Sequence, residues 1–351
     1  MKLLTFLYST LLSTQYTPYP IEIGKNICCN LALNIPKSFI ITNPTIYQIY
    51  NKSMKFDKNV IIVPDGESYK SIETISKIIE KAQLQGCDKY SQFVAFGGGV
   101  IGDLTGLAAN LYMRGIKFTS IPTTLMSMID SSIGSKNGVN NVYAKNVMGT
   151  FYPPSKIIID IRFLDTLPQR EYQSGIAEMI KCAIIGDAEF FSWLEKNIDK
   201  LLQRDEKALL YAIEKTCAFK IKIVNRDPFD TVEIRAQLNL GHTFGHALET
   251  LTDLDQYHHG EAVAIGICLA SELSNLEGKL DCISLKRIKH LLERAKLPTT
   301  YDKSILKSED MMRVMKLDKK NNNQVIKFVL PTEIGSAFVS TSQLKNLRKI
   351  L

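Results

Sequence analysis

The chain has 351 residues, of which 45% are hydrophobic and 23% charged, an ordinary balance for a globular protein that buries a core, in two domains or one large one. No apolar run is long enough to span a bilayer, and the formal charge of +7 comes without a basic run interleaved with aromatics, so neither a membrane nor a nucleic acid is expected as partner; a mild positive excess suits a small anionic substrate. Seven cysteines, an odd number without a Cys-x-x-Cys pair, read as free thiols of a reducing cytosol, and hence a cytoplasmic protein, not as a disulfide framework.

The opening "MKLLTFLYSTLLST" mimics a weak signal peptide but lacks a small-x-small cleavage site, and it reads as a first strand and turn. "KSFIITN" (37–43) and "NVIIVPDGE" (59–67) are β-rich, with "TIYQIYNKSM" between them as a helix. "SIETISKIIEKAQLQG" (71–86) carries Ile72, Ile75, Ile79 and Ala82 at helical spacing and stops at Gly86. "QFVAF" (92–96), "FTSIP" (118–122) and "KIIID" (156–160) are further strands. Alternation of this kind predicts a mostly parallel, Rossmann-like sheet with helices on both faces. Beyond Pro168 nearly every segment shows helical periodicity, and only "QVIKFVLP" (324–331) reads as a strand. The expected organisation is an α/β domain over 1–168 followed by a mainly α-helical domain over 169–351.

Three local patterns carry chemistry. In "QFVAFGGGVIGDLTGLAANL", Gly97, Gly99 and Gly102 satisfy G-x-G-x-x-G between a strand and a helix, a turn that lets backbone N–H groups approach a pyrophosphate. No acidic residue ends a strand about 20 residues further on, as an ordinary dinucleotide fingerprint requires. The turn "DGESYK" (65–70) on the preceding strand offers Glu67 for a ribose hydroxyl instead, or is a plain β-turn. Second, four of the five histidines (His242, His246, His258, His259) lie within one stretch. His242 and His246, four apart, share a helix face, and with His258 or His259 they predict a divalent metal, zinc by default for a nitrogen-rich site. Glu178 is a candidate carboxylate, with Lys181 on its face; the bland alternative is a solvated ion pair. Third, "DSSIGSKNGVNNVYAKN" (130–146) is small and polar apart from Lys136 and Lys145, and so reads as surface or binding loop, while Arg114 and Arg235 interrupt apolar surroundings. Cations near a metal suit a substrate with phosphate and carboxylate.

Taken together, "DGESYK", "GGGVIGDLTGLAAN", "YMRG", "IPTTLMSMIDSSIGSKNGVN", "AKN", "TLPQRE", "GIAEMIK", "RAQLNLGHTFGHALE", "HGEAVAIG" and "LDKK", in that order from about residue 60 to 330, resemble the 3-dehydroquinate synthase family of sugar phosphate cyclases. The resemblance implies an NAD-binding α/β domain, a helical metal-binding domain, a cleft between them, and a homodimer. It implies metal ligands (zinc or cobalt) at Glu178, His242 and His259, which makes His246 a substrate-side residue and leaves His258 without a role. Implied NAD contacts are Asp65, Gly66, Glu67, Ser68, Tyr69, Lys70, Gly99, Val100, Ile101, Gly102, Asp103, Thr123, Thr124, Lys145, Phe163, Leu164, Asp165 and Thr166. Implied substrate and catalytic residues are Arg114, Asp130, Lys136, Asn146, Lys181, Lys220, Arg235, Asn239, His246 and one of Lys319 and Lys320. The implied reaction turns 3-deoxy-D-arabino-heptulosonate 7-phosphate into 3-dehydroquinate and phosphate, by transient oxidation with NAD, elimination, reduction, ring opening and intramolecular aldol closure. Another sugar phosphate cyclase, or a metal- and NAD-dependent polyol dehydrogenase, is the alternative. The chain departs from the family pattern at Ser135 (usually glycine), Asn137 (usually threonine) and Ala144 (usually glycine), and the loop "NRDPFDTVE" is one residue longer than expected.

Overall fold

The computed structural model describes residues 10–13, 19–28, 37–54, 56, 59–252, 256–303, 306–317, 326–341 and 344–351. Most of the leader-like opening, Cys29, Lys319 and Lys320 lie outside them. The chain divides into two compact units, Met1–Leu167 and Pro168–Leu351. Pro168 caps the first helix of the second unit, where its carbonyl accepts the Tyr172 N–H at 3.0 Å. Among the described residues no helix is long and apolar enough to cross a membrane.

The first unit is built on a seven-stranded sheet: β1 (Thr10–Ser13), β2 (Pro20–Gly24), β3 (Ser38–Thr42), β4 (Val60–Ile62), β5 (Gln92–Gly97), β6 (Lys117–Pro122) and β9 (Lys156–Asp160), in the order β1-β2-β9-β6-β5-β3-β4. Only β1 pairs antiparallel; the other neighbours are parallel. A parallel sheet covered on both faces buries successive residues alternately to each side, which is why β5 reads as an unbroken apolar run. Phe93 and Ala95 pack with helices α2 (Ile72–Leu84) and α3 (Gly99–Leu111). Phe96 goes to the opposite face, edge-on to Tyr50 of α1 (Pro44–Met54) and to Phe163.

Helix α2 starts where Ser71 Oγ accepts the Thr74 N–H at 3.3 Å. Its buried stripe is Thr74, Ile75, Ile78 and Ala82, about one residue rotated from the predicted one: Ile72 is exposed and Ile79 only partly buried, while Thr74 and Ile78 turn inward. Two strand pairings escaped the sequence reading. "PIEIG" is β2, too short and mixed to signal a strand until β9 pairs with it. The polar stretch expected as a loop holds a hairpin, β7 (Lys136–Val139) with β8 (Met148–Phe151).

The second unit is mainly helical: α4 (Gln169–Gly186), α5 (Ala188–Leu202), α6 (Glu206–Arg226), α7 (His242–Leu251), α8 (His259–Leu276), α9 (Cys282–Arg294), α10 (Ser308–Leu317) and α11 (Leu344–Ile350). The expected single strand is a hairpin, β10 (Lys327–Glu333) with β11 (Ser336–Thr341), tied to the end of α4 by the Gly335 N–H donating to Ile184 O at 2.9 Å. Helices α4 and α8 are the core: Ser174–Ile185 and Ala262–Ala270 are buried without interruption, and an all-round buried helix shows no amphipathic stripe.

Candidate active site

In the second unit Glu178 is buried (1%) in the middle of α4. A lone carboxylate in that position is costly unless something charged meets it. The Lys181 ammonium, one turn on and 2% exposed, lies against Oε2. The ion pair expected as a solvated alternative is therefore a buried one. Neither oxygen of Glu178 has a hydrogen-bond partner of good geometry, and Oε1 has two imidazole nitrogens near it instead: His242 Nε2 and His259 Nε2, each at 3.8 Å. These three residues offer ligand atoms that all lie within 4.8 Å of one another. A buried carboxylate short of hydrogen bonds, facing two ring nitrogens at a spacing too long for contact, is a donor set that fits one small cation of the zinc or cobalt type.

Close helix packing creates this convergence. His242 begins α7 and His259 begins α8, so each ring is placed by where its helix starts. Gly241, at φ +79°, turns the chain into α7; a Cβ there would sit 2.7 Å from Val263 O. Gly260 lets α8 begin against α4: a Cβ there would lie 2.2 Å from Ser174 O and 2.4 Å from Ser174 Cα, and its N–H donates to Ser174 Oγ at 2.7 Å. Both imidazoles are oriented from behind. His242 Nδ1 lies 3.2 Å from Leu240 O, and His259 Nδ1 lies 3.4 Å from Glu249 Oε1. Burial, with the positive charge of Lys181 and the neighbouring histidines, holds His242 well below its ordinary pKa. Burial works the same way on His259, but the Glu249 hydrogen bond and charge, with Glu178, outweigh it and the pKa is raised.

The pair suggested by spacing alone, His242 and His246, is not the pair brought to the carboxylate. His246 is edge-on to His242, centroids 5.4 Å apart, and outside the group of three. His258, without a role in the sequence reading, caps α8: its N–H donates to Glu261 Oε2 at 2.9 Å and its Nδ1 is 3.0 Å from Glu171 Oε1. Lys220 and Arg235 are both buried at 6%. Arg235 Nη1 donates to Pro228 O at 3.1 Å. The longer loop before it folds around Asp227, whose carboxylate accepts N–H groups of Thr231 and Val232 at 2.8 and 3.4 Å. Burial would raise the Asp227 pKa, but these donors outweigh it and hold it low. Asn239 ends the 3-10 turn Ile234–Asn239 and is half-buried.

In the first unit β5 ends at Gly97, and α3 begins at Gly99 with the unpaired N–H groups of its first turn. Gly98, Gly99, Gly102 and Asp103 line a small cavity together with Ser131, Ser132 and Lys136. The hydroxyls of Ser131 and Ser132 in its lining, and that of Thr123 just after β6, are buried without a hydrogen-bond partner among the described residues, whereas Thr124 Oγ1 pairs with Ser127 Oγ at 2.8 Å. The turn Glu67–Tyr69 meets the hairpin loop through Asn140, which donates from Nδ2 to Glu67 Oε1 at 2.8 Å and accepts the Asn146 N–H on Oδ1 at 2.8 Å. Lys70, buried, donates to Asn146 Oδ1 at 2.6 Å and pairs with Asp103 Oδ2 at 2.5 Å. Burial, only partly offset by Lys70, pushes the Asp103 carboxyl up to about 6.

Lys145 is exposed, Lys136 Nζ sits 5.9 Å over the Phe151 ring, and Asp130 is half-buried in the turn Ser127–Ser131. Arg114 is exposed, in the left-handed region at φ +70°. Phe163 and Leu164 are buried, so only their backbone, with exposed Asp165 and Thr166, is open to a ligand. Asp65 is engaged by the Thr45 hydroxyl at 3.0 Å. The departures have structural consequences. Ser135 takes φ +62°, where glycine is at ease. Asn137, buried, donates from Nδ2 to Ser135 O at 3.1 Å and Tyr152 O at 2.8 Å, clasping the hairpin base.

Residues 60–174 match the family model described as 3-dehydroquinate synthase N-terminal, and residues 175–321 match 3-dehydroquinate synthase C-terminal. The chain is 44% identical over 339 residues to the 3-dehydroquinate synthase of Dictyoglomus turgidum, covering 95% of this chain and 94% of that one. It is 43% identical over 314 residues to the same enzyme of a Nitratiruptor species, covering 88% of each. Among solved structures it is similar to 2-epi-5-epi-valiolone synthase from Streptomyces hygroscopicus subsp. jinggangensis with NAD+ and Zn2+ bound, at a TM-score of 0.86 and 27% identity, covering 97% of this chain and 98% of that one.

Proposed function

The chain belongs to the 3-dehydroquinate synthase family, and from that premise we propose which of its residues carry the family's reaction, the phosphate-eliminating conversion of 3-deoxy-D-arabino-heptulosonate 7-phosphate to 3-dehydroquinate. The observation that carries the proposal is the meeting of Glu178, His242 and His259 around a carboxylate buried without hydrogen bonds. Glu178 Oε1 and the Nε2 atoms of His242 and His259 hold a divalent cation, zinc or cobalt, and NAD is the second cofactor. When bound, the cation supplies Lewis-acid polarisation of a substrate hydroxyl, and NAD a hydride acceptor that is restored within each turnover.

The side chains have the remaining tasks. Lys181, held on Glu178, tempers the charge of the cation's carboxylate and offers a cationic donor to substrate oxygen. His246, near the triad and not part of it, relays the hydroxyl proton, since an imidazole can accept a proton on one ring nitrogen and donate one from the other. Lys220 and Arg235 bind the substrate carboxylate, with Asn239; burial keeps both cations from bulk water and strengthens such a pairing. Lys136, Arg114 and Asn146 bind the phosphate, with Asp130 orienting them. The turn Asp65–Lys70, the glycine turn at Gly99–Asp103, Thr123, Thr124, Lys145 and Phe163–Thr166 hold the dinucleotide, the orphaned Thr123 hydroxyl and the free α3 N–H groups being the donors it lacks partners for. The substrate's own phosphate takes the proton lost before elimination. The protein works in the cytoplasm as a homodimer.

The test is phosphate release from the heptulosonate phosphate by purified protein with catalytic NAD. Turnover beyond the NAD supplied, without net absorbance change at the nicotinamide band, is expected; stoichiometric NADH would mean a polyol dehydrogenase. Glu178→Ala should lose its zinc by metal analysis, and undiminished zinc would remove Glu178 from the site.

A further inference from the structure

Within the second unit, Glu249 stands where no sequence motif or resemblance put a role. It lies on α7 at seven residues from His242 and three from His246, hence on the same face as both. It is buried (7%) in a helix whose neighbours Ala247 and Leu248 are fully buried. A carboxylate there is costly without a polar partner, and it is directed at His259: Oε1 is 3.4 Å from Nδ1. The opposite nitrogen of that ring, Nε2, is the one that faces Glu178 Oε1, at 3.8 Å.

The two nitrogens of an imidazole are not independent. When Nδ1 carries the proton, Nε2 presents a lone pair; in the other tautomer Nε2 presents an N–H, which repels a cation. His242 has its Nδ1 against the Leu240 carbonyl at 3.2 Å, a neutral acceptor. His259 has a carboxylate. The difference matters for charge: Lys181 lies against Glu178 and cancels it, so a dication held by Glu178, His242 and His259 meets no net negative charge from that pair. Glu249 is a further carboxylate in contact with one of the three, at 3.4 Å from His259 Nδ1.

We propose that Glu249 is a positioning residue for the metal: it holds His259 as the Nδ1–H tautomer with Nε2 toward Glu178, and supplies the negative charge that the Glu178–Lys181 pair does not. This rests on the reading of Glu178, His242 and His259 as metal ligands. The role separates into two parts that two substitutions resolve. Glu249→Gln keeps an oxygen that accepts from Nδ1–H and removes the charge; Glu249→Ala removes both. Outer partners of ligating histidines typically contribute about 10- to 100-fold in metal affinity.

The measurement is zinc affinity of the full chain, by competition with a chromophoric chelator near neutral pH, for the wild type, both variants and Glu178→Ala. Glu249→Ala should bind zinc about 100-fold more weakly and Glu249→Gln about 10-fold. Nitrogen NMR of the metal-free proteins, recorded at alkaline pH where the ring is neutral, should show the His259 Nδ1–H tautomer in the wild type and Glu249→Gln, and a mixture in Glu249→Ala. Should Glu249→Ala not fold, the Gln variant carries the test through its affinity and its retained tautomer. Wild-type affinity in both variants, with zinc lost from Glu178→Ala, overturns this role and leaves the metal site standing; unaltered zinc binding by Glu178→Ala overturns the metal reading itself.

Discussion

Replacing Gly260 by alanine tests the packing that brings His259 to Glu178. The new Cβ would lie 2.2 Å from Ser174 O and 2.4 Å from Ser174 Cα, both backbone positions that no side-chain rotation can clear. Ordinary contact needs 3.4 Å or more, so the start of α8 must move off α4 by about 1 Å. Alanine gains about 1 kcal/mol of helix propensity over glycine. Against this stand an overpacking cost of about 1–3 kcal/mol and a stretched Gly260–Ser174 hydrogen bond of about 1 kcal/mol. The net destabilisation is about 1–3 kcal/mol, roughly 3–10 °C in Tm for a unit of this size. His259, the preceding residue, moves with the backbone, so zinc affinity should fall at least about tenfold, as for loss of an orienting partner. Thermal melts with and without chelator, and chelator competition, measure both. A Tm equal to or above wild type together with unchanged zinc binding would show that the α4–α8 contact at Gly260 does not position the histidine.

Two further outcomes follow from the first unit. Ser135→Gly should raise stability, by about 0.5 kcal/mol: it removes roughly 1–2 kcal/mol of left-handed strain, offset by the greater backbone freedom of glycine in the unfolded chain, and it leaves the carbonyl that receives Asn137 and Tyr152 in place. A drop in the urea midpoint would contradict this. Asp103 binds its proton more tightly folded than unfolded, its carboxyl rising from the ordinary 3.8 to about 6. Its contribution to stability is therefore full below about pH 4 and declines as pH rises to about 6. The unfolding free energy of the wild type minus that of Asp103→Asn should fall across that window and stay flat above it; a difference that grows with pH would reverse the assignment.

How much of this was legible beforehand depended on whether the signal was local. Strand β5, the glycine turn and α3 follow from contiguous residues, since an apolar run, a tight turn and a helix start are all decided over a few positions. The hairpin in the polar stretch was not legible, because Asn137 stabilises it by reaching Tyr152, fifteen residues on. Strand β2 was missed for the same reason: its partner β9 lies far along the chain. Glu249 left only a weak trace, its place on the His242–His246 face.

The sequence by itself determined that this chain is an α/β unit followed by a helical one, and its ordered motifs carried the family. Composition and periodicity suffice for the two-part architecture, because burial patterns are properties of neighbouring residues. Which imidazoles meet the carboxylate was a tertiary matter. Helical spacing alone pairs His242 with His246; the fold pairs His242 with His259, because α8 can begin only where Gly260 lets it lie against Ser174, and that contact aims His259 at Glu178.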